Sequence, residues 1–357
     1  MKGFSKQELL EMAWEKPILA QVEITSKCNQ CCIFCYAGQK PMLSEGKPDL
    51  NLQQWQSIIA KLYNLGVRRL DFTGRESFMY SDFIALAAWC KQKGFEVRVN
   101  TNGTFDVSNA LKFVDEIIFS IHGLGATHDW ITKNKGAFEL IENNIKRTIE
   151  SGVKASINMS LLKSNYGQLN EVYTYFSSRY DISKFAPTFP IASLFGSEFA
   201  DEELVLSREL VSDYMLRLKI IPRDRLVLKH GFHSIFISDQ RHYHDNGLLL
   251  PNCAAGKHKL IVESDGRVFP CNFFKSEEYF CGNILTDDEF EIWKFGAGFN
   301  RFRELVLQEK IPGECTHCLK KNRCYSGCRA WSLTYKEGGF ENAKDKRCDL
   351  GSAFIGS

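Results

Sequence analysis

Three cysteines near the amino terminus limit what this chain can bind, and so how it can fold, more than any other feature. Cys28, Cys32 and Cys35 have C-x3-C-x2-C spacing, and an aromatic residue, Phe34, precedes the last of them. Three thiolates can bind three irons of a 4Fe–4S cluster and leave the fourth iron open, whereas an electron-transfer cluster normally takes four cysteines. The array therefore predicts a cluster that binds and activates a ligand at its free iron.

A structural zinc site is the alternative for this array. Zinc of this kind takes four ligands, usually as two close pairs. Here the first gap spans three residues, and no histidine or cysteine follows closely enough to form a second pair. The next cysteine, Cys90, lies in an amphipathic segment typical of a buried, inert thiol, and Cys31 is interpreted as a bystander. The spacing favours iron–sulfur ligation over zinc.

With Tyr36 after its last cysteine, the array resembles the signature of the radical SAM enzymes, where SAM is S-adenosylmethionine. The resemblance implies that the amino and carboxylate groups of SAM chelate the open iron. It also implies that one-electron reduction releases a 5′-deoxyadenosyl radical, and that Phe34 lies at the cofactor.

The other cysteines form a second pattern toward the carboxyl terminus. They are Cys253, Cys271, Cys315, Cys318, Cys324, Cys328 and Cys348. Their spacing resembles the seven-cysteine SPASM extension of radical SAM enzymes, which holds two auxiliary 4Fe–4S clusters. Seven positions with matching gaps are far more specific than a single C-x2-C pair. Together, the two regions and the sheet pattern between them cover the chain from about residue 18 onward.

The resemblance also assigns these cysteines to two clusters. It implies a distal cluster held by Cys315, Cys318, Cys324 and Cys348, and a proximal cluster held by Cys253, Cys271 and Cys328. The fourth ligand of the proximal cluster stays open: Cys281 is the available thiol, and an open iron that binds substrate is the alternative. The expected cofactors are therefore three 4Fe–4S clusters and SAM.

Composition narrows the class of protein. The 357 residues carry a formal net charge of +2, so no basic excess indicates nucleic acid as a partner. No run of 18 apolar residues indicates a membrane span, and the first residues lack an apolar signal core. Thirteen cysteines without a secretion signal favour metal ligation in a reducing cytoplasm over disulfides.

Between the two cysteine regions, predicted strands and helices alternate. Strands are predicted at 21–25, 70–72, 95–99, 116–120, 153–159 and 183–188. Six strands with helical crossovers predict a parallel sheet that curls toward a barrel. The resemblance implies an α/β fold: a partial six-stranded (β/α)6 radical SAM barrel with a C-terminal Cys-rich SPASM domain. The expected boundaries are an N-terminal extension at 1–17, the barrel at 18–222, a bridge at 223–250 and the SPASM domain at 251–357.

Ligands of such barrels bind at the carboxyl ends of the strands, and several predicted strand ends are polar. The resemblance implies cofactor contacts by Gly74, Glu76, Asn100, Asn102, Ser120 and Asn158. The family usually has Gly-Gly-Glu-Pro where this chain has Gly74, Arg75, Glu76 and Ser77. Arginine generally does not adopt positive φ, so either the loop is displaced or the position does not require it. Arg75 is then either solvated or ion-paired, or a cation that contacts cofactor or substrate.

A second departure concerns the end of the fourth strand. The family often has Asp at the position of His122, and an Arg shortly afterwards that pairs with the methionyl carboxylate. No Arg is present here, and Lys133 or Lys135 could replace it only as a point charge.

The leading functional hypothesis is a radical SAM/SPASM oxidoreductase that abstracts hydrogen from a peptide or protein, as a maturase making an oxidative modification. Fewer than 20 residues precede the first predicted strand, so we expect a separate leader-peptide-binding protein or direct substrate recognition. The alternative is a radical enzyme acting on a small molecule or tetrapyrrole. A third hypothesis is a non-catalytic iron–sulfur redox protein in which Arg75 disables cofactor binding. A flavodoxin- or ferredoxin-type reductant is the expected electron donor; no catalytic side chain is assigned.

Overall fold

The computed structural model describes residues 14–35, 48–191, 208–228, 253–307, 310–318, 321–334, 340–341, 344–345 and 348. Tyr36 and most of the predicted extension and bridge lie outside the described residues. No helix within the described residues is long and apolar enough to cross a membrane.

The core of the molecule is one nine-stranded sheet. Six parallel strands follow the chain: β1 (Leu19–Val22), β2 (Arg69–Phe72), β3 (Glu96–Thr101), β4 (Glu116–Ser120), β5 (Lys154–Ser160) and β6 (Phe185–Thr188). The order across the sheet is β6-β5-β4-β3-β2-β1-β7-β8-β9. The predicted six-stranded parallel sheet with helical crossovers is confirmed. The first strand was predicted too late in the chain: its ladder with β2 covers Leu19–Val22, and the chain beyond bends into the cysteine loop.

The cysteine-rich region extends the same sheet. Its first strand, β7 (Lys259–Val262), pairs in parallel with β1, and β8 (Arg267–Phe269) and β9 (Gly282–Asn283) continue antiparallel. The two predicted domains therefore share one sheet, which is larger than the sequence predicted. The domain boundaries themselves stay a prediction.

Helices cover one face of the barrel sheet. They are α1 (Leu52–Leu65), α2 (Phe83–Gln92), α3 (Ala126–Thr132), α4 (Ala137–Glu150), α5 (Leu169–Arg179) and α6 (Arg208–Arg217). The cysteine-rich region adds α7 (Glu289–Phe295), α8 (Ala297–Leu307), α9 (Lys321–Cys324) and α10 (Arg329–Thr334).

Helix α1 shows why these segments fold as they do. Asn51 and Gln54 form a reciprocal capping box at its start, and Gly66, at φ 113°, ends it. Its apolar residues at helical spacing are all buried: Trp55, Ile58, Ile59, Leu62 and Leu65. Each contributes roughly 1.5–3 kcal/mol of transfer free energy, so this stripe holds the helix on the sheet.

Alternation along the strands creates a second, polar face. The rings of Phe72 and Phe83 lie 5.4 Å apart, so Phe72 faces α2. Because successive residues of a strand point to opposite faces, Asp71 points away from the helices, into what we call the lumen. There the guanidinium of Arg98 lies 2.8 Å from Asp71 and 3.3 Å from Glu116. The lumen is therefore lined by charged groups that pair with one another.

Candidate functional site

The loop after β1 brings the three predicted cluster ligands together. Burial raises the pKa of Cys32, and the neighbouring thiols of Cys35 and Cys28 raise it further. The Cys35 amide donates to the Cys32 carbonyl (3.0 Å), which forms a tight turn. Cys31 is exposed, in keeping with a bystander. Burial raises the pKa of Cys28 as well, so ligation of metal by Cys28 and Cys32 would release protons.

Two anchors fix this loop to the barrel. Asp49, before α1, accepts hydrogen bonds from the Thr25 hydroxyl (2.8 Å) and the Ser26 amide (3.1 Å). The Ile33 amide donates to the carbonyl of Ile131 at the end of α3 (3.0 Å). The cysteines are thus positioned by protein contacts at both ends of the loop. Asp49 was not predicted, because no local motif marks it.

Glu76 links the loop after β2 to the end of β3. Its carboxylate accepts hydrogen bonds from the Asn102 amide (2.8 Å), the Thr101 hydroxyl (3.0 Å) and the Phe78 amide (3.1 Å). Burial raises the pKa of Glu76 to about 7, although these hydrogen bonds oppose the shift. These contacts hold the β2 loop against the end of β3. A contact between Glu76 and cofactor stays a prediction.

Gly74 and Arg75 have different backbone requirements. Gly74 has φ 94°, a conformation that favours glycine, and a Cβ there would lie 2.5 Å from Cγ of Glu23. Both the backbone conformation and the lack of space therefore require glycine at this position. Arg75 does not have a positive φ. This position of the loop, which is usually glycine in the family, therefore does not require glycine in this chain.

The charge of Arg75 faces the cysteine loop. The Glu76 amide donates to the Lys27 carbonyl (3.0 Å), which places this segment beside Cys28. Burial raises the pKa of Cys28, while the Arg75 guanidinium acts in the opposite direction. A permanent positive charge therefore lies close to one predicted cluster ligand. This favours the interpretation of Arg75 as a cation at the cofactor site.

The polar strand ends line the same edge of the sheet. The Asn102 side chain donates to the Asn29 side chain (2.7 Å) and approaches Sγ of Cys28 (4.0 Å). Ser120 and Asn158 are direct neighbours in the ladder between β4 and β5, on the lumen face. Asn100 donates to the Phe72 carbonyl at 3.4 Å. These predicted positions therefore lie toward the carboxyl ends of β3, β4 and β5, at the edge where Asn102 meets the cysteine loop.

Phe34 and His122 form the wall beside the cysteines. Their ring centroids lie 4.6 Å apart, edge to face. His122 accepts a hydrogen bond from the Ser160 amide (3.1 Å), and His128 accepts one from the His122 amide (3.1 Å). Burial lowers the pKa of His122 well below its ordinary value, with a smaller contribution from His128. Both contacts use imidazole as an acceptor, so His122 supports the fold as a neutral ring.

The lysines considered as replacements for an arginine lie on the surface. Lys133 and Lys135 are exposed, and Nζ of Lys133 lies 4.8 Å from the centre of the Trp130 ring. Neither lysine lies with the lumen residues. Of the three cations, Arg75 is therefore in the better position to act at the cofactor site.

The C-terminal cysteines assemble as two groups. Burial raises the pKa of Cys324 to about 12, and the charges of its neighbours raise it further. Those neighbours include Cys348, Cys315 and Cys318, which are the other predicted distal ligands. In the second group, Cys271 lies within electrostatic reach of Cys253. Arg329, next to Cys328 in sequence, is buried within reach of both groups.

Cys281 is placed differently. Its Sγ lies 3.4 Å from the Tyr279 carbonyl, and its surroundings are the backbone of Gly298 and Phe299 at the start of α8. Burial raises its pKa to about 12; the groups that oppose this shift are those two amides and Arg303, with no other cysteine among them. The structure therefore does not bring Cys281 together with Cys253 and Cys271. Its role as a proximal ligand stays a prediction.

A strained turn lies between Cys324 and Cys328. Tyr325 (φ 45°), Ser326 (φ 69°) and Gly327 (φ 83°) form three consecutive left-handed residues. The fully buried Asp345 holds the turn by accepting a hydrogen bond from the Cys328 amide (3.0 Å). Left-handed non-glycine residues cost about 1–3 kcal/mol each and cluster at functional sites.

These donor sets suit iron–sulfur clusters. Three neighbouring thiols follow β1, three others lie within electrostatic reach of Cys324, and thiolates are the usual cluster ligands. Within the described residues, no three His, Cys, Asp or Glu side chains lie close enough to hold one metal ion. A cluster does not require such a set, because each thiolate binds a separate iron.

Comparisons with known families match both cysteine regions. A model of the radical SAM superfamily matches residues 22–176, and a model of the SPASM iron–sulfur cluster-binding domain matches residues 253–319. Both matches agree with the regions that the motifs marked.

The individual relatives have low sequence identity to this chain, but they match most of its length. The mycofactocin maturase MftC of Mycolicibacterium smegmatis is 25% identical over 90% of this chain and 81% of its own. The Fe-coproporphyrin III synthase of Methanosarcina barkeri is also 25% identical, over 90% of this chain and 85% of its own. Crystal structures of Streptococcus suis SuiB have the same fold. With S-adenosylmethionine bound, the TM-score is 0.74 at 17% identity, over 94% of this chain and 77% of that one.

Replacing Gly74 with alanine tests the close approach of Glu23. We expect Gly74→Ala to lower the free energy of unfolding by roughly 1–3 kcal/mol more than Gly94→Ala. Both glycines have positive φ, but a Cβ at Gly94 meets nothing within 4 Å. Urea unfolding of the two variants gives the comparison. Equal losses of stability would show that Glu23 does not crowd Gly74.

Proposed function

Because this chain belongs to the radical SAM superfamily and carries a SPASM iron–sulfur domain, we propose that it matures a peptide or protein by an oxidative modification at carbon. The family makes it an enzyme that uses 4Fe–4S clusters and SAM. The substrate class and the number of clusters belong to the proposal.

The residues that would hold the first cluster are Cys28, Cys32 and Cys35. When bound and supplied with an electron by a reductant, the cluster and SAM would provide reductive cleavage of SAM and hydrogen-atom abstraction from substrate. The protein's part is to hold the loop through Asp49 and α3, and to bring the Asn102 side chain to Cys28, on which the charge of Arg75 also acts. Phe34 and His122 pack edge to face beside the cysteines.

The observation that supports a net oxidation is the pair of C-terminal cysteine groups. They belong to the region whose strands β7–β9 extend the barrel's sheet. Oxidation of a product radical requires an electron to leave the substrate, and auxiliary clusters can accept it. We propose that Cys315, Cys318, Cys324 and Cys348 hold the distal cluster. Cys253, Cys271 and Cys328 would hold the proximal one, with an open fourth position or an additional ligand.

The peptide substrate draws support from two relatives. MftC is named a maturase, and SuiB has been crystallised with its precursor peptide SuiA bound, with a TM-score of 0.74 at 16% identity. We propose that the peptide binds either directly or through a separate leader-binding protein. A flavodoxin- or ferredoxin-type protein is the proposed reductant.

A small-molecule or tetrapyrrole substrate is the second candidate. The synthase of Methanosarcina barkeri, named for Fe-coproporphyrin III, is as similar to this chain as MftC is. At 25% identity neither relative decides the substrate. The two candidate functions are distinguished by the substrate that the active enzyme consumes, which is a peptide in the first case and a small molecule or tetrapyrrole in the second.

Iron analysis tests the cluster assignments. Reconstituted without oxygen, the protein should bind about 12 iron and 12 sulfide from three clusters, and replacing Cys28, Cys32 and Cys35 together with alanine should remove about four of each. Cys90→Ala is the matched control, because this thiol is fully buried in the apolar core. Tightly bound zinc with little iron would contradict the proposal.

Neutralising Arg75 tests its role beside Cys28. A nearby cation stabilises the more negative reduced cluster, so Arg75→Gln should lower the cluster's reduction potential by about 50 mV, equivalent to about 1 kcal/mol. Formation of 5′-deoxyadenosine under limiting reductant should slow with it. Arg68→Gln, an arginine stacked on Tyr63, is the control. An unchanged potential, read by paramagnetic resonance during redox titration, would mean that Arg75 does not act on the cluster.

Co-expression tests the substrate class. Each short open reading frame beside the gene is expressed with the enzyme and analysed by mass spectrometry. A precursor that loses about 2 Da, as removal of two hydrogens requires, is the expected result, and it should disappear in the triple-cysteine variant. If every peptide returns unmodified while a small metabolite is consumed, the second candidate replaces the first.

A further inference from the structure

A buried group of charges lies in the lumen where three segments meet. Nζ of Lys275 lies 2.7 Å from Oε1 of Glu23 and 3.1 Å from Oε1 of Glu263. Arg267 lies 3.0 Å from Oε2 of Glu263 and 2.9 Å from Asp265. We call these five residues the lumen cluster. It joins the end of β1, the end of β7 and the segment that follows Cys271.

The register of the strands shows which way these carboxylates point. Val22 pairs with Phe72 of β2 and with Val262 of β7, and Phe72 faces the helices. The Glu23 amide donates to the Val262 carbonyl (2.9 Å), so the strand stays extended for one more residue. Glu23 and Glu263 therefore point to the opposite face, into the lumen.

One oxygen of the lumen cluster lacks a hydrogen-bond partner. Glu23 is fully buried, and within the described residues its Oε2 makes no hydrogen bond. Both oxygens of Glu263 have a cationic partner, and Lys275 is shared between the two glutamates. Leaving a buried carboxylate oxygen without a donor costs several kcal/mol. Such a group commonly marks a place where a ligand or water binds.

The free oxygen lies at the cofactor loop. Oε2 of Glu23 is 2.9 Å from the position that a Cβ on Gly74 would occupy. Gly74 is followed by Arg75, whose charge acts on Cys28. Both oxygens of Glu76 already accept hydrogen bonds, from Thr101, Asn102 and Phe78. Among the described residues of the lumen cluster, the buried oxygen without a donor is Oε2 of Glu23.

We infer that Glu23 accepts a hydrogen bond from an amino group, or another N–H donor, of a ligand bound in the lumen. An ammonium group fits best, because the lumen cluster contains three carboxylates and two cations. Two ligands offer that chemistry: SAM through its α-amino group, and a substrate amine or amide. The interpretation with SAM as the donor depends only on membership of the family. The interpretation with substrate as the donor depends on the proposed function.

Lys275 has a positioning role in this arrangement. Burial by itself lowers the pKa of Lys275, but Glu23 and Glu263 outweigh it and the net shift is upward. The charged ammonium holds Oε1 of Glu23, so Oε2 is turned toward Gly74. Because Lys275 follows Cys271 by four residues, the SPASM segment fixes the orientation of a barrel carboxylate.

Glu23→Gln tests the inference, with Glu263→Gln as its control. Both changes weaken the contact with Lys275, but only the first removes the free carboxylate oxygen. A hydrogen bond to a charged group is worth about 1.5–3 kcal/mol, so the affinity for the donor ligand should fall about 10- to 100-fold in Glu23→Gln. In Glu263→Gln it should change less than about threefold.

The first arm measures SAM binding to cluster-reconstituted protein by equilibrium dialysis, without turnover. The second measures the Michaelis constant for the modified precursor peptide at saturating SAM. A selective loss in the first arm identifies SAM as the donor, and a loss only in the second identifies the substrate. Wild-type-like behaviour of Glu23→Gln in both arms would overturn the inference.

Two safeguards keep the test decisive. Iron content and the unfolding midpoint of both variants are measured first; if Glu23→Gln does not fold, Glu23→Asp replaces it, because aspartate keeps the charge but withdraws the oxygen. If the wild type modifies no peptide, the proposed function fails and the SAM arm alone decides the role of Glu23.

Discussion

The position of β1 between β2 and β7 is the constraint on which the rest of the site depends. Four residues, Leu19–Val22, are hydrogen-bonded on both sides. The cysteine loop leaves the end of this strand, the Gly74 loop leaves the end of β2, and Glu263 follows β7. A slip of one residue in either ladder would turn Glu23 toward the helices. Register alone thus brings the three cysteines, the cofactor loop and the SPASM segment to one edge.

The lumen shows how a barrel can carry charge in its interior. Burying a lone charge is costly, whereas buried charges with paired, hydrogen-bonded partners are tolerated. One such set, the lower one, lies within the strands and consists of Asp71, Arg98 and Glu116. The lumen cluster is the upper set, at the carboxyl ends of β1 and β7. The lower set also contacts Arg69 and the hydroxyl of Ser156. The upper set keeps one acceptor open, and it lies where the strands end and ligands of such barrels bind.

The cysteine sites combine local spacing with distant support. Close spacing along the chain brings thiols together, but their orientation comes from elsewhere: Asp49 and α3 hold the first loop, and Asp345 holds the turn before Cys328. In the absence of metal, burial and the charges of neighbouring groups raise the pKa values of Cys32 and Cys324. Metal binding would exchange those protons for positive charge, so the sites are expected to gain order when loaded.

By itself, the sequence determined the alternation of six strands and helices, the cysteine arrays and the family, because each depends on residues close together in the chain. The apolar stripe of α1 and the buried thiol of Cys90 follow from helical periodicity in the same way. Tertiary structure alone decided the rest. That Glu76 clamps β3, that Cys281 packs on α8, and that Lys275 reaches Glu23 could not be read from local patterns. These contacts join residues 25 to 252 positions apart or depend on side-chain packing, and only the completed sheet fixes which of these groups meet.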